Sequence, residues 1–190
     1  FGMRAGNADF QPFETAFRNS LFQVVSIITT TGYGTADFDQ WNQFGRGLLL
    51  LLMFVGGCAG STGGGMKVIR HILFFKILRM EVEGSFQPTE VRLLKLGGKA
   101  TEDQSLRHSI LVYFGLIIAL FAFGFLFVIA FESDLTWGTN QQNKLIDSAS
   151  AVASTLNNIG PGLGVIGSTE NYANFSVPSK SLFIWLMMLG

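Results

Sequence analysis

The chain has 190 residues, is 48% hydrophobic with 19 Phe and 23 Gly, and has a mean hydropathy of +0.39, which is richer in apolar residues and glycine than an ordinary soluble domain. Thirteen basic and thirteen acidic residues leave no net charge, so nothing points to nucleic acid as a partner. A single cysteine, Cys58, excludes an internal disulfide, and with the distant His71 and His108 it forms no metal-ligand cluster. Cys58 reads as a small packing residue and the two histidines as interfacial.

Residues 1–11 are mixed and polar and are expected outside a bilayer. Pro12 suits a helix start, because its missing N–H is not needed in the first turn. A helix is predicted over 13–28, yet Glu14, Arg18, Asn19 and Gln23 make it too polar to face lipid. Such a helix at membrane depth requires protein around it, so it reads as a re-entrant pore helix. It runs into Thr29-Thr30-Thr31-Gly32-Tyr33-Gly34-Thr35. A Gly-rich turn is most often only a loop. Here hydroxyl residues and two glycines flank an aromatic, so the backbone can turn successive carbonyls toward one axis. A ring of such oxygens replaces the hydration shell of a monovalent cation. Thr30, Thr31, Gly32, Tyr33 and Gly34 are therefore the first candidate filter, with the negative end of the preceding helix dipole beside it.

Asp37 and Asp39 follow, as expected of an outer mouth that concentrates cations, with Trp41 as an interfacial anchor. An inner helix is predicted over 44–57. It meets Gly56, Gly57, Cys58, Ala59, Gly60, Ser61, Thr62, Gly63, Gly64 and Gly65, of which six are Gly. Glycine costs about 1 kcal/mol in a helix interior relative to Ala. The apolar run before it is only about half the ~20 residues of a crossing. The break at 56–65 is therefore expected inside the membrane rather than after it. Helical pattern resumes over 66–83.

Residues 84–107 read as a polar linker containing Pro88 and Gly97-Gly98; Val91, Leu93, Leu94 and Leu96 suit either an interface or a solvated segment. The stretch 110–131 holds 22 consecutive apolar or Gly residues apart from the Tyr113 hydroxyl. At ~1.5 Å per residue it is long enough for a hydrocarbon core of about 30 Å. An outer helix is predicted over 109–131, then an outer loop 132–143 with Glu132, Asp134 and Trp137. A second pore helix is expected over 144–156 and a second filter over 157–164, where Asn158, Ile159, Gly160, Pro161 and Gly162 are the candidates. A loop leads to Ser179 and a last inner helix begins at 181–190. The chain starts at Phe1, shows no signal peptide and stops inside an apolar run, so it is read as part of a longer chain.

The two halves register at an offset of 128. Ser20 falls on Ser148, Val24 on Val152, Ser26 on Ser154, Gly32 on Gly160 and Gly34 on Gly162. The expected class is an all-α membrane protein built of repeats of outer helix, re-entrant pore helix, filter and inner helix, with one inner helix broken. Residues 66–108 carry 8 of the 13 Lys and Arg, so that segment is expected to be cytoplasmic and both filters to face outward.

The motifs at 29–35, 56–67 and 157–164 resemble the Trk/Ktr/HKT superfamily of potassium transporters, most closely its TrkH-type membrane subunits. The resemblance implies a chain of four outer-helix–pore–inner-helix repeats around one pore. Residues 1–83 would be the third repeat without its first helix, and 108–190 the fourth. It implies potassium as the transported ion, held at Thr31, Gly32, Asn158 and Ile159, with no organic cofactor in this chain. It further implies a homodimer in the lipid of a bacterial or archaeal inner membrane, regulated by a cytosolic nucleotide-binding ring. The family's single filter glycine falls on Gly32 and Gly160, and its intramembrane gate on 56–65. Its gate arginine would lie in the last inner helix, beyond Gly190. Two rival readings remain on the residues. One is a membrane scaffold without a pore. The other is a phosphate-binding enzyme built on Gly60-Ser61-Thr62-Gly63-Gly64-Gly65-Met66-Lys67. A P-loop needs G-x-x-x-x-G-K-[ST] after a strand, and here Met66 precedes Lys67 and Val68 replaces the hydroxyl residue. No catalytic dyad is visible.

Overall fold

The computed structural model describes residues 13–86, 94–96, 99–101, 104–137 and 143–190. The polar start with Pro12, and Pro88, Val91, Leu93, Gly97 and Gly98, lie outside the described residues. In chain order the elements are α1 (Phe13–Ile28), α2 (Gln43–Leu52), α3 (Val68–Phe86), the hairpin strands β1 (Leu94–Leu96) and β2 (Lys99–Thr101), α4 (Gln104–Phe131), α5 (Lys144–Leu156) and α6 (Val177–Leu189).

The helix α5 is the packing centre. Residues 147–156 are almost all buried, and Ser148, Ser150, Ala151, Ala153 and Ser154 have small side chains that let neighbours come close. α4 and α6 cover it. A Cβ on Gly124 of α4 would lie 2.9 Å from Val152 Cγ1 and 3.3 Å from Leu186 Cδ1, so that crossing depends on glycine. α4 carries the one membrane-length segment among the described residues, Leu106–Phe131, with a mean hydropathy of 2.8 and only 22% of its most apolar window buried. A soluble core helix of that length would hide this surface; here Val112, Leu116, Ile118, Phe123 and Leu126 face outward. α1 packs on α2 and α3 on α4. On α1, Gln23 is buried with its amide donating to the Ala36 carbonyl at 3.2 Å, while Phe13, Phe17, Leu21 and Val25 form an exposed stripe.

Several boundaries differ from the sequence expectation. The inner helix predicted over 44–57 stops at Leu52, and Phe54 and Val55 continue only as tight i→i−3 turns. The cause is non-local: the Gly56 N–H donates to the Met66 carbonyl at 2.9 Å instead of to the turn behind it. The helix predicted over 66–83 is Val68–Phe86, and the predicted outer helix 109–131 begins at Gln104. The described residues of the linker predicted over 84–107 are helix end, helix start and two antiparallel strands that pair Leu94 with Thr101 and Leu96 with Lys99. An Arg107–Glu81 ion pair ties α4 to α3. The last helix starts at Val177 rather than 181, with Pro178 in its first turn, where proline is favoured. Its N-terminus is held by Glu132, whose Oε1 accepts from the Ser176 N–H at 2.8 Å and the Ser176 hydroxyl at 2.7 Å.

Candidate functional site

The helices α1 and α5 terminate in the same way, residue for residue at a separation of 128. After α1, the N–H groups of Thr29, Thr30 and Thr31 donate to the carbonyls of Val25, Ile27 and Ser26 at 2.9, 3.1 and 2.9 Å. After α5, those of Asn157, Asn158 and Ile159 donate to Ala153, Thr155 and Ser154 at 3.1, 3.2 and 2.9 Å. Thr30 and Asn158 have φ of 55° and 53°, and Gly32 and Gly160 have 75° and 109°. Positive φ is uncommon outside glycine and an outlier for a β-branched residue. Its recurrence at Thr30 and Asn158 marks a turn imposed by the surroundings. Those surroundings include a buried hydroxyl in each half. The Ser26 Oγ donates to the Tyr33 carbonyl at 2.7 Å, and the Ser154 Oγ to the Pro161 carbonyl at 2.8 Å. Each serine reaches seven residues forward and curls the intervening strand around the helix end. The side chains of Thr29 and Asn157 donate back to the Val25 and Ala153 carbonyls at 2.7 and 2.9 Å, closing the two helices alike.

The two strands touch. A Cβ on Gly32 would lie 2.2 Å from the Ile159 carbonyl oxygen and 3.1 Å from Pro161 Cδ. Among the described residues, no hydrogen bond uses the carbonyls of Thr31, Gly32, Asn158 or Ile159. The walls are not equivalent above that level: the Gly160 carbonyl accepts from the Tyr172 hydroxyl at 2.7 Å. Tyr33 is largely exposed, whereas Pro161 packs toward Gly32. Gly34 and Gly162 approach Ser168 and Ile166, where a Cβ would lie 2.6 Å from Ser168 Cβ and 2.2 Å from Ile166 Cδ1.

The segment 56–65 folds beneath both strands. Its ends are tied by Gly56 N–H to Met66 O and by Val68 N–H to Gly57 O, at 2.9 and 3.1 Å. The Gly64 N–H donates to Thr30 Oγ1 at 3.1 Å. A Cβ on Gly63 would lie 3.2 Å from the Thr29 carbonyl oxygen, and one on Gly64 would lie 2.6 Å from Asn158 Cβ and 3.2 Å from the Asn157 carbonyl oxygen. Gly65 takes φ of 73°. The loop therefore lies against the C-terminal ends of α1 and α5 simultaneously. Cys58 is exposed and does not pack as expected, because its carbonyl, not its side chain, organises the loop by accepting from the Ser61 N–H and Oγ at 3.0 and 2.9 Å. Ala59, Gly60 and Thr62 carry no hydrogen bond among the described residues. The chain enters this loop from α2 rather than from a strand, so the phosphate-loop geometry is not formed.

Asp37 and Asp39, expected at an outer mouth, line a cavity and also have partners within the structure. Asp37 is a cap, accepting from the Asp39 N–H and the Gln40 amide, both at 3.0 Å. Asp39 accepts from the Gly164 N–H at 2.7 Å, and its Oδ1 lies 3.7 Å from an Arg46 nitrogen that lies 3.5 Å from Asp147 Oδ1. Arg46 is buried and bridges the two halves. Burial raises the Asp39 carboxyl above its ordinary value, against the opposing pull of the Gly164 N–H and Arg46. These groups line a cavity of about 750 Å³ with Trp137 and Glu170. Sequence reasoning missed Arg46 and Asp147, which are 101 residues apart and leave no local signal. It also missed the role of Ser26 and Ser154, although their register in the repeat was visible.

Comparison with known proteins agrees with this geometry. The family model described as TrkH, cation transport protein, matches residues 4–190. The Trk system potassium uptake protein TrkH of Salmonella typhimurium is 35% identical over 176 residues, covering 93% of this chain and 34% of the relative. That of Vibrio parahaemolyticus is 37% identical over 175 residues, covering 92% and 33%. The crystal structure of the potassium transporter TrkH from Vibrio parahaemolyticus superposes with a TM-score of 0.79 at 36% identity, covering 95% of this chain and 36% of that one. The chain thus spans about a third of the length of the curated relatives it matches.

Proposed function

The chain belongs to the TrkH family of cation transport proteins, and from that premise we propose that it supplies two walls of a potassium-conducting pore, as the third and fourth of four repeats in the full-length protein. The observation that carries this reading is the pair of matched turns. At the contact of Gly32 with Ile159, the carbonyls of Thr31, Gly32, Asn158 and Ile159 have no donor among the described residues. Unpartnered carbonyls at the negative ends of two helices suit a partly dehydrated monovalent cation. The relatives are named potassium uptake proteins, which supports potassium as the ion.

Segment 56–65 serves as the gate. It lies across the inner side of both turns, and non-helical backbone at membrane depth belongs where protein or a water-filled path surrounds it. α3, which continues from it, is the lever for a cytosolic nucleotide-binding ring, the basic segment 66–108 facing the cytoplasm of a bacterial or archaeal cell and the filters facing out. The full-length protein works as a homodimer in lipid. Potassium flux into proteoliposomes containing the full-length protein tests the reading. Flux that rises when residues 60–65 are deleted supports both pore and gate. Absence of flux from the intact protein with its regulator present refutes the pore, and unchanged flux from a folded deletion variant refutes the gate.

A further inference from the structure

We propose that Ser61 and Gly63 form a monovalent-cation site inside the loop 56–65, and that the ammonium of Lys67 occupies it as a tethered cation that latches the loop beneath the filter. The inference rests on the pore reading above. The Lys67 Nζ donates to the Ser61 carbonyl at 3.0 Å, to the Ser61 hydroxyl at 3.4 Å and to the Gly63 carbonyl. An ammonium has three donors and no acceptor, and here all three meet oxygens of one short loop. Among the described residues no carboxylate pairs with Lys67; its charge is satisfied by loop oxygens alone. Two neutral carbonyls and a hydroxyl around a compact cation form the same kind of oxygen set that holds a dehydrated potassium ion.

The cage is built rather than incidental. The Ser61 N–H and Oγ both donate to the Cys58 carbonyl, which closes the turn that presents the Ser61 and Gly63 carbonyls to Lys67. The next residue, Gly64, is fixed to Thr30 Oγ1, and Gly63 lies against the Thr29 carbonyl. The ammonium is therefore held by a loop that touches Thr29 and Thr30 at the start of the first filter strand, and a fixed positive charge on that loop opposes a cation leaving the strand. Lys67 also immediately precedes Val68, the first residue of α3. A movement of α3 that breaks the Val68–Gly57 and Gly56–Met66 hydrogen bonds therefore also withdraws the ammonium from the cage. The vacated oxygens then become ligands for the passing ion, so closing and conducting use the same atoms.

The test uses the full-length protein in proteoliposomes without its regulator. Lys67→Met keeps the chain length and removes the charge; Lys67→Arg keeps the charge. Losing even one charge-assisted hydrogen bond from the closed state shifts the closed-to-open ratio by about tenfold, so Lys67→Met should raise basal rubidium flux about tenfold while Lys67→Arg stays near the intact protein. Equal increases in both variants overturn the role of charge. No increase in Lys67→Met, when deletion of 60–65 does increase flux, overturns the latch and leaves the gate standing. If the deletion has no effect either, gate and latch fail together. Should Lys67→Met not fold, Lys67→Gln carries the same expectation. An independent readout is thermal unfolding in detergent with potassium chloride against choline chloride. The emptied cage should give the Lys67→Met protein a potassium-dependent rise in Tm beyond that of the intact protein. Equal potassium responses in the two proteins overturn the cation site.

Discussion

Replacing Gly32 by alanine places a methyl group where the two strands touch. At φ of 75° an L-residue is strained by about 1–2 kcal/mol relative to glycine. The new Cβ would lie 2.2 Å from the Ile159 carbonyl oxygen. An ordinary carbon–oxygen contact is about 3.3 Å, so the carbonyl must retreat by about 1 Å. Among the described residues that carbonyl has no protein donor, and under the proposed pore reading the displacement falls on an ion ligand. If the strain sets the scale of lost discrimination, 1–2 kcal/mol corresponds to a roughly five- to thirtyfold drop in the potassium-over-sodium permeability ratio. Reversal potentials of the full-length protein under bi-ionic conditions measure the ratio. Gly47→Ala is the control, because a Cβ there meets nothing within 4 Å. A Gly32→Ala protein that conducts with the ratio of the intact protein refutes the placement of Gly32 and Ile159 in the filter.

Three further outcomes follow from the same geometry. Ser26→Ala and Ser154→Ala each remove a hydroxyl donor from a filter-strand carbonyl, and each should lower stability by about 1–3 kcal/mol; thermal unfolding of the two variants should show similar losses, and an unaffected Ser154→Ala protein would refute the matched-hook account. Arg46→Met leaves Asp39 and Asp147 without their shared cation and should cost about 3–5 kcal/mol, with part of the loss recovered by adding Asp147→Asn; full additivity of the two substitutions would refute the bridge. Burial opposes ionisation of Glu132, but hydrogen bonds from Ser179, Ser176 and Thr136 outweigh it and hold the carboxyl below its ordinary 4.5. A carboxyl lowered in the folded state stabilises above its unfolded value and loses that contribution as pH falls through the folded one. The melting temperature should therefore fall more steeply below about pH 4.5 in the intact protein than in Glu132→Gln, and parallel acid limbs would refute the assignment.

The sequence by itself was enough for whatever depends on neighbours along the chain. The extents of α1 and α5 follow from their apolar spacing and the turn residues that end them, and the membrane-length run in α4 from composition alone. The offset of 128 between the halves located two equivalent turns before any geometry was known, because both the reaching serine and the glycine that accepts positive φ are short-range requirements of one motif. What the tertiary structure decided lies in pairs of groups that no local periodicity brings together. α2 ends at Leu52 because Gly56 pairs with Met66, α6 begins at Val177 because Glu132 holds Ser176, and Lys67 folds back onto Ser61 and Gly63 instead of into solvent. Asp39, read from the sequence as a mouth charge, also acts as a strut because Gly164 and Arg46 come to it, the former 125 residues away. Periodicity and glycine placement report the local backbone preference of each segment. A buried carboxylate or ammonium is instead governed by which donors and acceptors the packed helices bring within about 3 Å, and that is known only once the helices are packed.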